Sequence, residues 1–168
     1  MNKDNIYLIG MMGSGKTTIG QLLAKKMSLE FLDMDSELEH LMDMSISMIF
    51  SQYGEKRFRM IESSFFREIS KVEKLVYATG GGIILNQSNQ KIIKEGIAIF
   101  LDCSLNELIS RVKKDKKSRP LIQDNVKKNI SIIYDERYKL YENCAKYTID
   151  TTTLSTTQVA DEIIQCIN

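Results

Sequence analysis

The sequence predicts an α/β protein built on a parallel sheet covered by helices on both faces. Short apolar, β-rich runs alternate with stretches of helical period, the pattern of strands joined by helical crossovers. A glycine-rich loop joins the first apolar run to the first helical stretch. The 168 residues contain no internal repeat, low-complexity run or linker. One domain spanning 1–168 is therefore expected, long enough to bury about 70% of its unfolded surface.

The strand candidates are IYLIG (6–10), EFLDM (30–34), LVYAT (75–79), AIFL (98–101) and YTID (147–150). The helical candidates begin with KTTIGQLLAKKM (16–27), SELEHLMD (36–43), ISMIFSQYG (46–54) and EKRFRMIESSFFREIS (55–70). They continue with SNQKIIKEG (88–96), LNELISRV (105–112), VKKNISIIYDERYKLYENC (126–144) and TQVADEIIQCI (157–167). Two insertions interrupt the alternation. About 40 residues with several helices separate the second and third strands, more than one crossover needs. The polar stretch KKDKKSRPLIQD (113–124) holds the chain's only proline and has the character of a functional lid or a disordered segment.

Composition narrows the function classes. A net charge of +1 gives no general affinity for nucleic acid or an anionic membrane. No stretch approaches the roughly 20 apolar residues of a membrane helix, and no signal peptide is expected ahead of the glycine loop. Cys103, Cys144 and Cys166 are odd in number and lack C-x-x-C spacing, so they read as reduced thiols of a cytoplasmic protein. His40 is the only histidine, too little for a histidine-based metal site. Met42, Met44 and Met48 read as core filler.

Residues 10–17, GMMGSGKT, satisfy G-x-x-x-x-G-K-[ST] in the confirming context, with a strand before and a helix after. Glycines let the backbone wrap a phosphate at the positive end of a helix. Lys16 supplies a point charge, and Thr17 supplies a hydroxyl for Mg²⁺. No N-K-x-D base-reading motif of a GTPase is present. A small P-loop chain with a lid-like insertion points to phosphoryl transfer onto a small molecule.

Five further groups face the acceptor question. Asp33 and Asp35 stand at the end of the second strand, where alternation places both on one face. One suits a metal and the other suits proton acceptance, or Asp35 caps the helix beginning at Ser36. In GEKRFRMIE (54–62), Arg59 and Glu62 read equally as a surface ion pair or as a clamp for a substrate carboxylate. ATGGG (78–82) permits close backbone approach to a ligand. KKDKKSRP (113–120) carries Arg119, suited to charge on a transferring phosphoryl group. Arg137 lies on a long helix, where solvent exposure is the default.

In order, LIGMMGSGKTTIG, FLDMDSELE, IFSQYGEKRFRMIE, ATGGGI, SRPL and ERYKLYENCA resemble shikimate kinase from about residue 6 to about residue 150. The resemblance implies a nucleoside-monophosphate-kinase-like fold with three α/β/α layers and a five-stranded parallel sheet of order 2-3-1-4-5. It implies a substrate-binding insertion over about 33–62 and a mobile lid over about 113–124. The implied reaction is ATP- and Mg²⁺-dependent phosphorylation of the shikimate 3-hydroxyl, giving shikimate 3-phosphate and ADP on the route to chorismate and the aromatic amino acids. Lys16 and the loop from Gly13 and Ser14 through Gly15 to Thr17 and Thr18 would hold the phosphates. Arg111 would lie against the adenine. Thr17 and Asp33 would bind Mg²⁺, and Asp35 would contact the shikimate hydroxyls and act as base. Arg59 and Arg137 would grip the carboxylate as arginines without other partners. Gly80, Gly81 and Gly82 would line the ring, Phe50 and Phe58 would form the apolar wall, and Arg119 would be the lid arginine. A monomer is expected. DTTTLSTTQ (150–158) lacks the proline that many relatives place near the adenine. A gluconate or nucleotide kinase, a catalytically silent homologue and a nucleic-acid binder fit this ordered set less well.

Overall fold

The computed structural model describes residues 5–115, 121 and 125–167. Five parallel strands, β1 (Ile6–Ile9), β2 (Glu30–Asp33), β3 (Leu75–Ala78), β4 (Ile97–Asp102) and β5 (Tyr147–Asp150), stand in the order β2-β3-β1-β4-β5. In the middle of the sheet Ile6 pairs with Val76 on one side and Ile97 on the other. The helices are α1 (Lys16–Met27), α2 (Met34–Met42), α3 (Ile46–Ile69), α4 (Gln87–Glu95), α5 (Leu105–Lys114), α6 (Val126–Cys144) and α7 (Thr156–Ile167). A 3-10 turn, Ile83–Leu85, lies between β3 and α4.

Burial explains which runs became central strands. IYLI and LVYA are buried at every position, as a sheet covered on both faces requires. Alternation sorts their side chains into two cores. Ile6, Leu8, Val76, Ile97 and Ile99 pack with Leu23 of α1 and Ile163 of α7. Tyr7, Ile9, Tyr77, Ala98 and Phe100 join Phe66, Ile130 and Tyr141 on the opposite face. The edge strands β2 and β5 reach the cores through Phe31, Leu32, Tyr147 and Ile149 and carry the exposed Glu30 and Asp150. Among the described residues, no helix is long and apolar enough to cross a membrane.

The elements depart from the sequence reading in particular places. β2 ends at Asp33 instead of Met34, because the Asp33 carboxylate accepts the amides of Asp35 and Ser36 and starts α2 at Met34. Asp35 therefore sits in the first turn of a helix. It is neither a strand residue paired with Asp33 by alternation nor the helix cap. The two helices expected over 46–54 and 55–70 are both present within α3: Ser45 caps the first, and the non-helical backbone of Gly54 kinks the run between them. Met42 and Met44 do pack against the small core of Leu38, Ile49 and Phe58 inside this insertion, but Met48 is 54% exposed. α5 runs on to Lys114, two residues past the expected end.

Gly54 has φ 74° and ψ 166°, a combination open essentially to glycine alone. A Cβ there would meet no atom within 4 Å, so backbone strain is the only penalty of adding one. Gly54→Ala is expected to cost about 1 to 3 kcal/mol and to lower Tm by several degrees in a thermal melt. An unchanged Tm would contradict the strained break.

Candidate active site

The carboxyl edge of the sheet gathers the loops after β1, β2, β3 and β5, where open α/β sheets bind their ligands. The loop after β1 turns through left-handed glycines, Gly13 at φ 83° and Gly15 at φ 95°. Gly15 occupies the N-cap of α1 and offers no side-chain cap, so the first amides of α1 keep their direction toward an anion. Lys16 Nζ donates to the carbonyls of Gly10 at 2.8 Å and Met11 at 2.9 Å, folded back over its own loop. Ser14 is fully buried, and its Oγ has no hydrogen-bond partner.

A cavity of about 570 Å³ opens over this loop, lined by Gly13, Gly15, Lys16, Thr17, Thr18, Asp33, Asp35, Arg111 and Thr151. On its floor Thr17 Oγ1 donates to Asp33 Oδ2 at 2.6 Å. Arg111 reaches across the other side. Its Nε donates to Glu107 Oε1 at 2.8 Å, its Nη2 to the Thr151 carbonyl at 2.6 Å and its Nη1 to the Gly13 carbonyl at 3.4 Å. Arg111 therefore ties the glycine loop to the chain after β5.

A second cavity of about 360 Å³ adjoins it, and Met12, Asp35 and Gly81 line both. Its walls include Phe50, Phe58, Arg59, Glu62, Gly80, Gly82, Leu121 and Arg137. Phe50 and Phe58 lie 4.5 Å apart by ring centroid, and the Arg59 guanidinium sits 5.0 Å from the Phe58 ring. Arg59 Nη1 meets Glu62 Oε2 at 2.8 Å, and Nη2 meets Glu55 Oε1 at 3.2 Å. The Glu62 side chain is only 3% exposed, so this is no surface ion pair. Arg137, expected in solvent, is 3% exposed and donates from Nη1 to the Gly81 carbonyl at 3.1 Å. Arg59 keeps the Glu62 pairing that its spacing offered, whereas the Gly81 carbonyl is a partner for Arg137 that the sequence did not indicate. The Nε atoms of both are nonetheless buried without one.

The glycines after β3 answer to close approach. A Cβ at Gly80 would lie 2.7 Å from Glu62 Oε1 and 2.9 Å from Asp35 Oδ1. A Cβ at Gly82 would enter the space of the Arg59 guanidinium. Any side chain at these positions would displace the charged groups of the cavity.

The electrostatics follow the packing. Arg59 loses solvent, which opposes its charge, but Glu62 and Glu55 outweigh that loss and raise its pKa. Asp35 is exposed where the cavity opens, yet the surrounding protein, with Gly80 close against its Oδ1, displaces part of its hydration. That loss of solvent, and then the neighbouring Asp33, push its pKa above the usual carboxylate range. Lys16 and Arg59 offset the rise only in part. Tyr141, fully buried beneath Gly81, has its hydroxyl pushed up to about 12 by burial and remains a donor.

Nearly all the residues expected at the site converge here. Arg119 and most of the 113–124 segment lie outside the described residues; of that segment, Leu121 lines the second cavity. Sequence reasoning passed over Met12, Glu39, Glu107, Tyr141 and Thr151. Tyr141 had a readable signal, since it stands one helical turn beyond Arg137 on the same face of α6.

The family model for shikimate kinase matches residues 12–168. A shikimate kinase of Caldicellulosiruptor bescii is 41% identical over 162 residues, covering 95% of this chain and 93% of its own. The structure of a shikimate kinase from Acinetobacter baumannii in complex with shikimate superposes with a TM-score of 0.94 at 38% identity, over 99% of this chain and 93% of that chain. A deoxyadenosine kinase from M. mycoides is 20% identical and shares the fold at a TM-score of 0.66, over 98% of each chain.

Proposed function

The chain belongs to the shikimate kinase family, and we propose from that premise that the cavity over the phosphate loop seats ATP and the adjoining one seats shikimate. The family's reaction moves the terminal phosphoryl group of ATP to the 3-hydroxyl of shikimate, leaving ADP. The observation that carries the assignment of the cavities is the placement of Arg59 and Arg137 in one small cavity, with Asp35 where that cavity opens onto the phosphate loop. A carboxylate at one end and hydroxyls at the other match shikimate.

In this reading the amides of Gly13, Ser14, Gly15, Thr17 and Thr18 cradle the phosphates, and Lys16 turns from its loop carbonyls to the phosphoryl oxygens. Arg111 supports the adenine side. The contact of the Thr17 hydroxyl with the Asp33 carboxylate offers hard oxygen donors, which fit an ion that keeps water and phosphate ligands. Thr17 and Asp33 would thus hold Mg²⁺, which, when bound, neutralises charge on the phosphates. Phe50 and Phe58 exclude water beside the ring, and Gly80, Gly81 and Gly82 let it approach the backbone. The 3-hydroxyl oxygen bonds to the terminal phosphorus, the bond to the ADP oxygen breaks, and the hydroxyl proton passes to Asp35. Arg119, which lies outside the described residues, is carried over from the family resemblance as the group that would stabilise charge on the moving group. All of these groups belong to one chain and one domain, and we assign the enzyme to the cytoplasm as a monomer.

The carboxylate clamp is tested with shikimate methyl ester. Calorimetry is expected to show the ester binding about ten- to a hundredfold more weakly than shikimate, since two charged hydrogen-bonded contacts are lost. Equal affinities would contradict the clamp.

A further inference from the structure

Tyr141 supports the acceptor cavity from beneath. Its hydroxyl donates to the Gly81 carbonyl, the same oxygen that accepts from Arg137 Nη1 at 3.1 Å. Its ring is fully buried and stacks on Phe100, with centroids 5.2 Å apart and planes at 21°. A phenylalanine would fill the same space without bringing a hydroxyl into the core, which is costly unless the hydroxyl is bonded. Among the described residues the hydroxyl also neighbours the Met11 thioether, at 3.9 Å, and the Arg137 side chain, whose charge and hydrogen bonding partly offset the effect of burial on it. The hydrogen bond it donates to the backbone is the one to the Gly81 carbonyl.

That carbonyl is well placed to matter. Gly81 lines both cavities. In a trans peptide the N–H of the next residue points opposite to the carbonyl. Holding the Gly81 oxygen on α6 thus sets the direction of the Gly82 N–H. The turn's own bonds run from Ile83 N–H to the Gly80 carbonyl at 3.1 Å and from Leu85 N–H to the Gly82 carbonyl at 3.0 Å. They leave that N–H outside the ladder. Glycine backbone has little steric preference, so an external hold on the peptide is what selects its tilt.

We propose that Tyr141 is a positioning residue for phosphoryl transfer: its hydroxyl fixes the Gly81 peptide and, through the shared carbonyl, the Arg137 guanidinium against the acceptor. This inference rests on the acceptor cavity assigned above. It is tested with Tyr141→Phe, which keeps the ring and its stack, beside Phe100→Leu, which loosens the stack and keeps the hydroxyl. Steady-state kinetics, calorimetric shikimate binding and thermal melts are measured on both.

Tyr141→Phe is expected to raise the shikimate KM and Kd about three- to tenfold, the worth of one hydrogen bond, with the KM for ATP unchanged. Phe100→Leu is expected to lower Tm more than Tyr141→Phe does, while leaving the ratio of the two KM values at the wild-type level. An unchanged shikimate KM and Kd in Tyr141→Phe would overturn the proposal. So would a parallel rise in both KM values, or an equal shikimate effect in Phe100→Leu, since either marks general loosening. Wild-type turnover of shikimate with an unaltered Tyr141→Phe removes Tyr141 alone, whereas a wild-type enzyme inert toward shikimate overturns the acceptor cavity and this inference together.

Discussion

Asp35→Asn is expected to lower kcat by about a hundred- to ten-thousandfold, with ATP affinity nearly unchanged and with a fold at least as stable as the wild type. Asp35 lines both cavities, and Gly80 approaches it so closely that no side chain fits between them. A carboxylate there can take the proton of the attacking hydroxyl. The amide is close in shape but accepts no proton at working pH. In the proposed arrangement ATP is held mainly by the loop before α1, which the substitution does not touch. Parallel losses of turnover and ATP affinity would count against an acceptor-side role.

The raised pKa of Asp35 gives the same substitution two signatures in pH. The base must be ionised, so kcat/KM falls as pH drops through the raised value, an acid limb above that of an ordinary carboxylate. Stability runs the other way. Between the unfolded value and the raised folded one, the folded state holds the proton more tightly. Stability from Asp35 is therefore present at low pH and lost as pH rises through that window. Both dependences should vanish in Asp35→Asn. An acid limb unchanged in the residual activity of the variant would assign it to another group.

Arg59→Ala carries the second large effect, and it divides binding from stability. Removing the guanidinium strips shikimate of one charged contact and leaves Glu62, with its side chain only 3% exposed, without its 2.8 Å partner. Breaking a buried pair from one side costs about 2 to 5 kcal/mol. Arg59→Ala should therefore lose both shikimate affinity and stability, as read by calorimetry and denaturant unfolding. Glu62→Gln added to Arg59→Ala removes the stranded charge, so stability should largely return while shikimate affinity does not. Recovery of both would make Arg59 a structural residue only. Recovery of neither would mean that Glu62 is not the source of the instability.

The difference between what the sequence made readable and what it hid has a physical pattern. The strands and the phosphate loop were legible because short apolar runs and the glycine-lysine spacing are local properties; both faces of the central strands are buried, Ile6 and Leu8 turning to one core and Tyr7 and Ile9 to the other as alternation dictates. Helix starts were less legible, because a side-chain cap decides them: the Asp33 carboxylate takes the amides of Asp35 and Ser36 and so moves Asp35 from a strand into a helix. Tertiary burial was the least legible. Nothing local to YDERYKLYE tells that Arg137 is buried or that it shares the Gly81 carbonyl with Tyr141, since the oxygen they meet is 56 residues away from Arg137 in the chain. The partners of Arg111 were hidden for the same reason: its Nη1 and Nη2 bonds join the loop after β1 to the chain after β5.

The most direct test of the account is ADP release from ATP and Mg²⁺ on adding shikimate, measured beside gluconate and a nucleoside monophosphate. Release with shikimate alone is the predicted result, and it would identify donor and acceptor in one assay. ATP binding without shikimate-dependent release, or faster release with gluconate or the monophosphate, would contradict the acceptor assignment while leaving the phosphate loop in place.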